Sequence, residues 1–237
     1  MGTSNWQHIP FVVDALMRIE PTRVLDVGVG FGRWGILARE FGDVWPGRVH
    51  RKDWTMRVEG IEAFAPNVAD YHLAFYDQIH QGDAIDILPT LTQPFDLVMF
   101  GDVLEHFERP AADTLLDLAV ERHAYVIVNV PLGPEHPQGE AYGNPYEAHR
   151  SAWELADFQR RPLVRHALFR DYIHRPYGSF ILSRDDPRGV RHATFSESDH
   201  GMPLHRKVAI ADELGGRTLL RLVWKKALRR LRGGATP

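Results

Sequence analysis

The chain has no cysteine among its 237 residues. That excludes a disulfide framework and any thiolate metal site, and it suits a reducing cytosol. No apolar run approaches the roughly 20 residues that a membrane-spanning helix needs. Met1 to Pro10 lacks the basic-then-apolar layout of a secretory leader, and Trp6 stands where a myristoylation motif wants Ser or Thr. Internal repeats and low-complexity tracts are absent too. The expectation is a cytoplasmic protein whose contact with a membrane, at its inner face, is peripheral. Acids are missing from the C-terminal end. From Arg217 onward there are seven basic residues and no Asp or Glu, so a net charge of −3 overall leaves −10 on residues 1–216. A body this acidic is a poor surface for phosphate backbones, and no nucleic-acid partner is expected.

With 44% hydrophobic residues the chain can bury one substantial core. Short β-branched runs alternate with amphipathic stretches. Val24 to Val27 is the first clear strand, followed by a glycine turn and a helix from about Gly32 to Phe41. Strands are expected near Arg57 to Ile61, before Gly82-Asp83, from Phe95 to Phe100 and from Tyr125 to Val130. Helices are expected after Pro66, from Pro110 to Arg122 and from Trp153 to Arg160. Two further strands, Leu163 to Tyr172 and Tyr177 to Leu182, follow with no helix between them. This order predicts an α/β fold: a doubly wound, mostly parallel sheet with helices on both faces and a C-terminal antiparallel hairpin. The expected organisation is a body over residues 1–184, a linker or lid over 185–216, and a basic amphipathic helix over 217–237. The long stretch from Gly42 to Trp54 reads as an insertion.

Asp26-Val27-Gly28-Val29-Gly30-Phe31-Gly32 joins a strand to a helix. Glycines there permit a tight turn and close approach of the backbone to a ligand, at a helix end that favours anions. A dinucleotide fingerprint needs glycine at position 33, where Arg33 stands. An acid two residues before the first glycine suits instead the ammonium of S-adenosylmethionine, reached directly or through water. Glu62 ends the second strand, where a carboxylate accepts from ribose hydroxyls; Glu59, one residue before Gly60, is its rival. Asp83, in Gly82-Asp83-Ala84, ends the third strand, where an acid can accept from an adenine amino group. Each acid alone is more often a solvated strand end than a ligand contact. Together, in this order, they read as a cofactor pocket.

These segments, with Phe95 to His106, resemble the class I methyltransferase superfamily over roughly residues 10 to 184. The segment Gly101-Asp102-Val103-Leu104-Glu105-His106 is similar to the fourth-strand motif of small-molecule methyltransferases, including the ubiquinone-pathway O-methyltransferases. The resemblance implies S-adenosyl-L-methionine as cofactor, held by Asp26, Gly28, Gly30, Gly32, Glu62, Asp83 and Ala84. It also implies that Asp102, Val103 and Leu104 sit beside the methionine and adenine parts. Glu62 in place of the usual aspartate, and the Gly42 to Trp54 insertion, depart from the pattern.

An acceptor must bind beyond the carboxyl ends of the strands, after the fourth and fifth. His106 is a candidate base there, or simply a capping residue. The polar and aromatic segment from Pro131 to Ser151 is longer than a connection needs. Its Asn144-Pro145-Tyr146-Glu147-Ala148-His149 run resembles a loop of bacterial methyltransferases tied to polysaccharides and glycolipids. That likeness implies His149 as base, with Asn144, Tyr146 and Glu147 binding or orienting the acceptor, a glycan or small molecule. His136, Glu140, Glu147 and His149 could supply metal ligands but show no helical ligand pair, and no metal is expected. A quinone or aromatic natural product as acceptor, or a non-catalytic cofactor-binding scaffold recruited through the tail, are the alternatives. In that tail Leu219, Leu220, Val223, Ala227 and Leu231 gather opposite most of the basic residues. Residues 217–232 therefore read either as an interfacial helix drawn to anionic lipid or as a helix packed on protein.

Overall fold

The computed structural model describes residues 5–171 and 173–192. The basic segment 217–237, and all of the expected linker beyond residue 192, lie outside the described residues.

Among the described residues, seven strands form one sheet: β1 (Arg23–Val27), β2 (Arg57–Glu62), β3 (Gln78–Gln81), β4 (Leu97–Gly101), β5 (Tyr125–Pro131), β6 (Leu163–Arg170) and β7 (Pro176–Leu182). Their order across the sheet is β3-β2-β1-β4-β5-β7-β6. The first five run parallel, and β7 enters antiparallel between β5 and β6. The central strands are mostly apolar because both their faces are covered. Alternate residues serve different cores. Leu25 and Val27 of β1, Val98 and Phe100 of β4, and Val126 and Val128 of β5 pack into one; Val24, Leu97, Met99 and Ile127 pack into the other.

Two helices close those cores. α1 (Ile9–Ile19) carries Pro10 in its first turn, where the missing N–H costs nothing, and buries Phe11, Val12, Ala15, Leu16 and Ile19. α4 (Arg109–Arg122) covers the other face with Ala112, Leu115, Leu116, Ala119 and Val120. Shorter helices are α2 (Arg33–Arg39), α3 (Ala84–Ile87) and α5 (Leu155–Gln159).

Three segments differ from expectation. The helix α1 was not foreseen. After Pro66 there is no α-helix, only 3-10 turns at Ala65–Asn67 and Asp70–Ala74, because that segment has no apolar stripe to bury. The helix α2 does not end in a plain loop: it passes into a π-helical turn, Glu40–Val44. There the buried Asp43 accepts from the Thr55 N–H (2.9 Å) and from Arg39 and Arg48 (2.8 Å each). The Gly42 to Trp54 insertion is thereby welded to the start of β2.

Strand order reverses between β1 and β4, the switch point at which such sheets leave a crevice beyond their carboxyl ends. No helix among the described residues is long and apolar enough to cross a membrane.

Candidate active site

A cavity of about 420 Å³ opens at that crevice, within the 300–1,000 Å³ range usual for small-molecule sites. One end is built from the tips of β1, β2 and β3. Gly28, Gly30 and Gly32 have φ of 79°, 51° and 88°, a region closed to most side chains. A Cβ on Gly28 would lie 2.7 Å from Val103 Cγ2, so the turn rests directly on the segment after β4. The Glu62 carboxylate fixes its crest, accepting from the Gly30 N–H (2.8 Å), the Phe64 N–H (2.9 Å) and Asn67 Nδ2 (3.2 Å). Asp83 caps α3 through the Ile85 N–H (3.0 Å) and faces the cavity. Arg33 opens α2 at the cavity wall, and burial there lowers the proton affinity of its guanidinium against the opposing field of Asp102.

The expected cofactor residues divide. Gly28, Gly30, Glu62, Asp83, Asp102 and Val103 line the cavity; Asp26, Gly32, Ala84 and Leu104 do not. Asp26 is fully buried beneath the turn and accepts from the Tyr76 hydroxyl at 2.5 Å. Burial pushes its carboxyl up to about 7, with the Tyr76 bond acting the other way. Leu104 packs in the core under Val103, and Ala84 is buried in the first turn of α3. Glu59, the rival of Glu62, is held inside the sheet by Arg57 (2.7 Å), His80 (2.9 Å) and Arg23 (3.2 Å).

The other end follows β4 and β5. Asp102 has φ of 55°, a left-handed conformation that is costly for a non-glycine residue. Its N–H donates to the Asn129 carbonyl (2.9 Å), and its Oδ2 accepts from the Asn5 N–H (3.2 Å). Behind it, buried His8 meets Ser179 Oγ (2.8 Å), which donates to Asn129 Oδ1 (2.7 Å). A 3-10 turn, Leu104–His106, comes next. The segment 132–153 folds back over that turn. Its far end is anchored by Trp153, fully buried and stacked on Phe158. The Arg150 and Ser151 N–H groups both donate to the Glu105 carbonyl (2.7 and 3.1 Å).

This folding brings His149 beside His106, with ring centroids 5.0 Å apart. His149 Nδ1 donates to the His136 carbonyl (2.6 Å), and His106 Nδ1 to the Ala148 carbonyl (3.3 Å). Burial lowers the basicity of both rings; for His149, with His106 beside it, the pKa falls to about 4. Of the expected acceptor contacts, Tyr146 is exposed at the rim, whereas Asn144 is buried and caps its own turn through the Tyr146 N–H (3.0 Å). Asn144 Nδ2 also donates to Glu147 Oε1 (3.3 Å). Asn144 and Glu147 therefore shape the loop while bordering the cavity.

Among the wall residues that had not been assigned roles are Arg33, Phe31, Tyr177 and Glu105. Pairing of Pro131 with Tyr177 carries that ring to the carboxyl end of β5, a register no local motif reveals. Glu105 is 2% exposed and its Oε2 has no hydrogen-bond partner. Burial first, then the nearby charges of Asp102 and Glu147, drive its carboxyl pKa well up. An unsatisfied buried polar atom costs about 1–3 kcal/mol.

No protein-family model and no curated protein matches the chain. Its structure is similar to the bifunctional kinase-methyltransferase WbdD, with a TM-score of 0.55 and 15% identity over 75% of this chain. The likeness spans 39% of WbdD, so this chain corresponds to about two fifths of that protein. It is similar to the N-terminal domain of EvdMO1, crystallised in the presence of SAH and D-fucose (TM-score 0.53, 13% identity, 76% of this chain and 84% of that one). A candidate O-methyltransferase from Klebsiella pneumoniae matches at a TM-score of 0.51 and 14% identity, over 77% of this chain and 82% of that one. At such identities the likeness is one of fold.

Proposed function

This chain has the fold of the class I methyltransferases, and we propose that it transfers a methyl group from S-adenosylmethionine to a hydroxyl of a sugar, glycan or glycolipid precursor. The observation that carries the reading is the division of one cavity: a glycine turn and a carboxylate at one end, two paired imidazoles at the other. The first end fits the cofactor by its chemistry. In its glycine turn, Gly28 and Gly30 present backbone rather than side chains to the cavity, and Glu62 lies beside it with its carboxylate on the Gly30 N–H. When bound, S-adenosylmethionine supplies an electrophilic methyl group on a sulfonium.

The chain's own residues then have distinct tasks. Glu62 accepts from the ribose hydroxyls, and Asp83 from the adenine amino group. Arg33 and the positive end of α2 meet the methionine carboxylate. Asp26 acts on the ammonium group through the turn above it. Asp102 and Val103 form the wall between the two ends. His149 and His106 receive the acceptor hydroxyl, which must be aligned in line with the methyl group. Phe31, Tyr142 and Tyr146 offer aromatic faces at the rim for the apolar side of a sugar ring. The basic segment 217–232 would hold the protein at anionic lipid, where a lipid-linked acceptor resides. D-fucose in the EvdMO1 structure is consistent with a sugar acceptor.

The test is an acceptor screen with the purified chain and S-adenosylmethionine, following S-adenosylhomocysteine release and product mass. Methylation of glycosides or nucleotide sugars is expected. Turnover confined to catechols or quinols would move the substrate to aromatic natural products. Cofactor binding without turnover on any hydroxyl would favour a scaffold.

A further inference from the structure

We infer that the acceptor end of the cavity is a divalent-cation site whose ligands are Glu105, His106 and His149. One ligand atom from each of these residues lies within 4.8 Å of those from the other two. Metal–ligand bonds of roughly 2.1 Å require separations of about 3 to 4 Å, which small rotations of the three side chains supply. Two imidazoles with one carboxylate select manganese, iron, cobalt or zinc over magnesium and calcium, which take all-oxygen shells.

The surroundings of the three groups point the same way. Each imidazole gives its Nδ1 to a backbone carbonyl, His149 to His136 (2.6 Å) and His106 to Ala148 (3.3 Å). A carbonyl only accepts, so Nδ1 carries the hydrogen and the lone pair of each neutral ring sits at Nε2. Metal-binding histidines are oriented by this kind of outer bond. Glu105 supplies an independent sign. It is buried, it lines the cavity, and its Oε2 meets no donor. A cation at the cluster would satisfy that atom. The ligands come from two segments joined by the Arg150 and Ser151 bonds to the Glu105 carbonyl, which hold the site's two halves in register.

Three protein ligands leave positions open toward the cavity, the arrangement of a catalytic rather than a structural ion. On the methyl-transfer reading, which this role rests on, an acceptor hydroxyl occupies one of them. The ion lowers the hydroxyl's pKa and the proton leaves to water. The oxygen then forms a bond to the methyl carbon as the carbon–sulfur bond breaks, the electron pair remaining on sulfur. The products are the methyl ether, neutral S-adenosylhomocysteine and one proton. This assigns His106 and His149 as ligands, with the metal-bound oxygen rather than a free imidazole as the reacting group.

Titration of the chelator-treated full chain with cobalt chloride tests the site, read by the visible ligand-field absorption of bound cobalt. One ion per chain is expected, with affinity reduced at least about 100-fold in both Glu105→Gln and His149→Gln, since losing merely a residue that orients a ligand costs roughly 10- to 100-fold. Calorimetry of S-adenosylhomocysteine on the same samples should stay within about twofold of wild type, which also reports that the variants are folded. No cobalt uptake, with or without S-adenosylhomocysteine, would overturn the inference and leave metal-free methyl transfer standing. Uptake that both variants leave unchanged would overturn it as well. Uptake lost in the variants, without S-adenosylhomocysteine binding by wild type, would uphold the cation site and remove the methyl-transfer reading.

Discussion

At the glycine-turn end of the cavity, the facing groups come from three successive strand tips, Gly28 to Gly30, Glu62 and Asp83. At the imidazole end they come from the turn after β4 and from a loop more than forty residues later. The first end is fixed by backbone: turn N–H groups donate to Ile61 and to Glu62. The second is fixed by one anchor, Trp153, and by a handful of bonds between two loops. Groups on strand tips inherit their positions from the sheet, whereas groups on a folded-back loop depend on that loop's own packing. Separate damage to the two ends follows as an expectation.

The largest effect should come from Trp153→Ala. Emptying this fully buried site should cost about 3–5 kcal/mol in urea unfolding. Acceptor turnover should vanish, while protein that remains folded keeps its affinity for S-adenosylhomocysteine. Equal loss at both ends would break the comparison. Next comes His149→Gln, expected to lower turnover at least about 100-fold with cofactor affinity nearly unchanged by calorimetry. Glu62→Ala should do the reverse. Losing charged hydrogen bonds to two ribose hydroxyls costs about 2–3 kcal/mol, or roughly 30- to 150-fold in affinity.

A smaller effect concerns pH. Asp26 has a folded pKa of about 7, above its value of 3.8 when unperturbed. Between those values the folded chain holds a proton that the unfolded chain has released, so this group makes stability fall as pH rises. The slope is at most about 1.4 kcal/mol per pH unit, and Asp26→Asn should flatten it in urea titrations between pH 5 and 7. The smallest change is expected from Tyr142→Ala at the rim, 76% exposed: a few-fold rise in acceptor KM at constant kcat.

The same contrast decides what the residues alone made legible. The strand Val24 to Val27, its glycine turn, and the acids Glu62 and Asp83 are neighbours in sequence or sit at the ends of clear strands, so period and spacing locate them. The antiparallel hairpin was equally legible, since nothing helical separates its strands. What escaped was nonlocal. Tyr76, two residues past a 3-10 turn, reaches across to bury Asp26, and only the β5–β7 register places Tyr177. Glu105 lay beside a recognised histidine, but its burial depends on the returning loop. One omission had a local signal: Phe11, Val12, Ala15, Leu16 and Ile19 keep helical spacing behind Pro10.

Calorimetric titration of the wild-type chain with S-adenosylmethionine and, separately, S-adenosylhomocysteine tests the cofactor assignment most directly. Saturable binding of both, one per chain, is the predicted result. A well-folded chain that binds neither would contradict it.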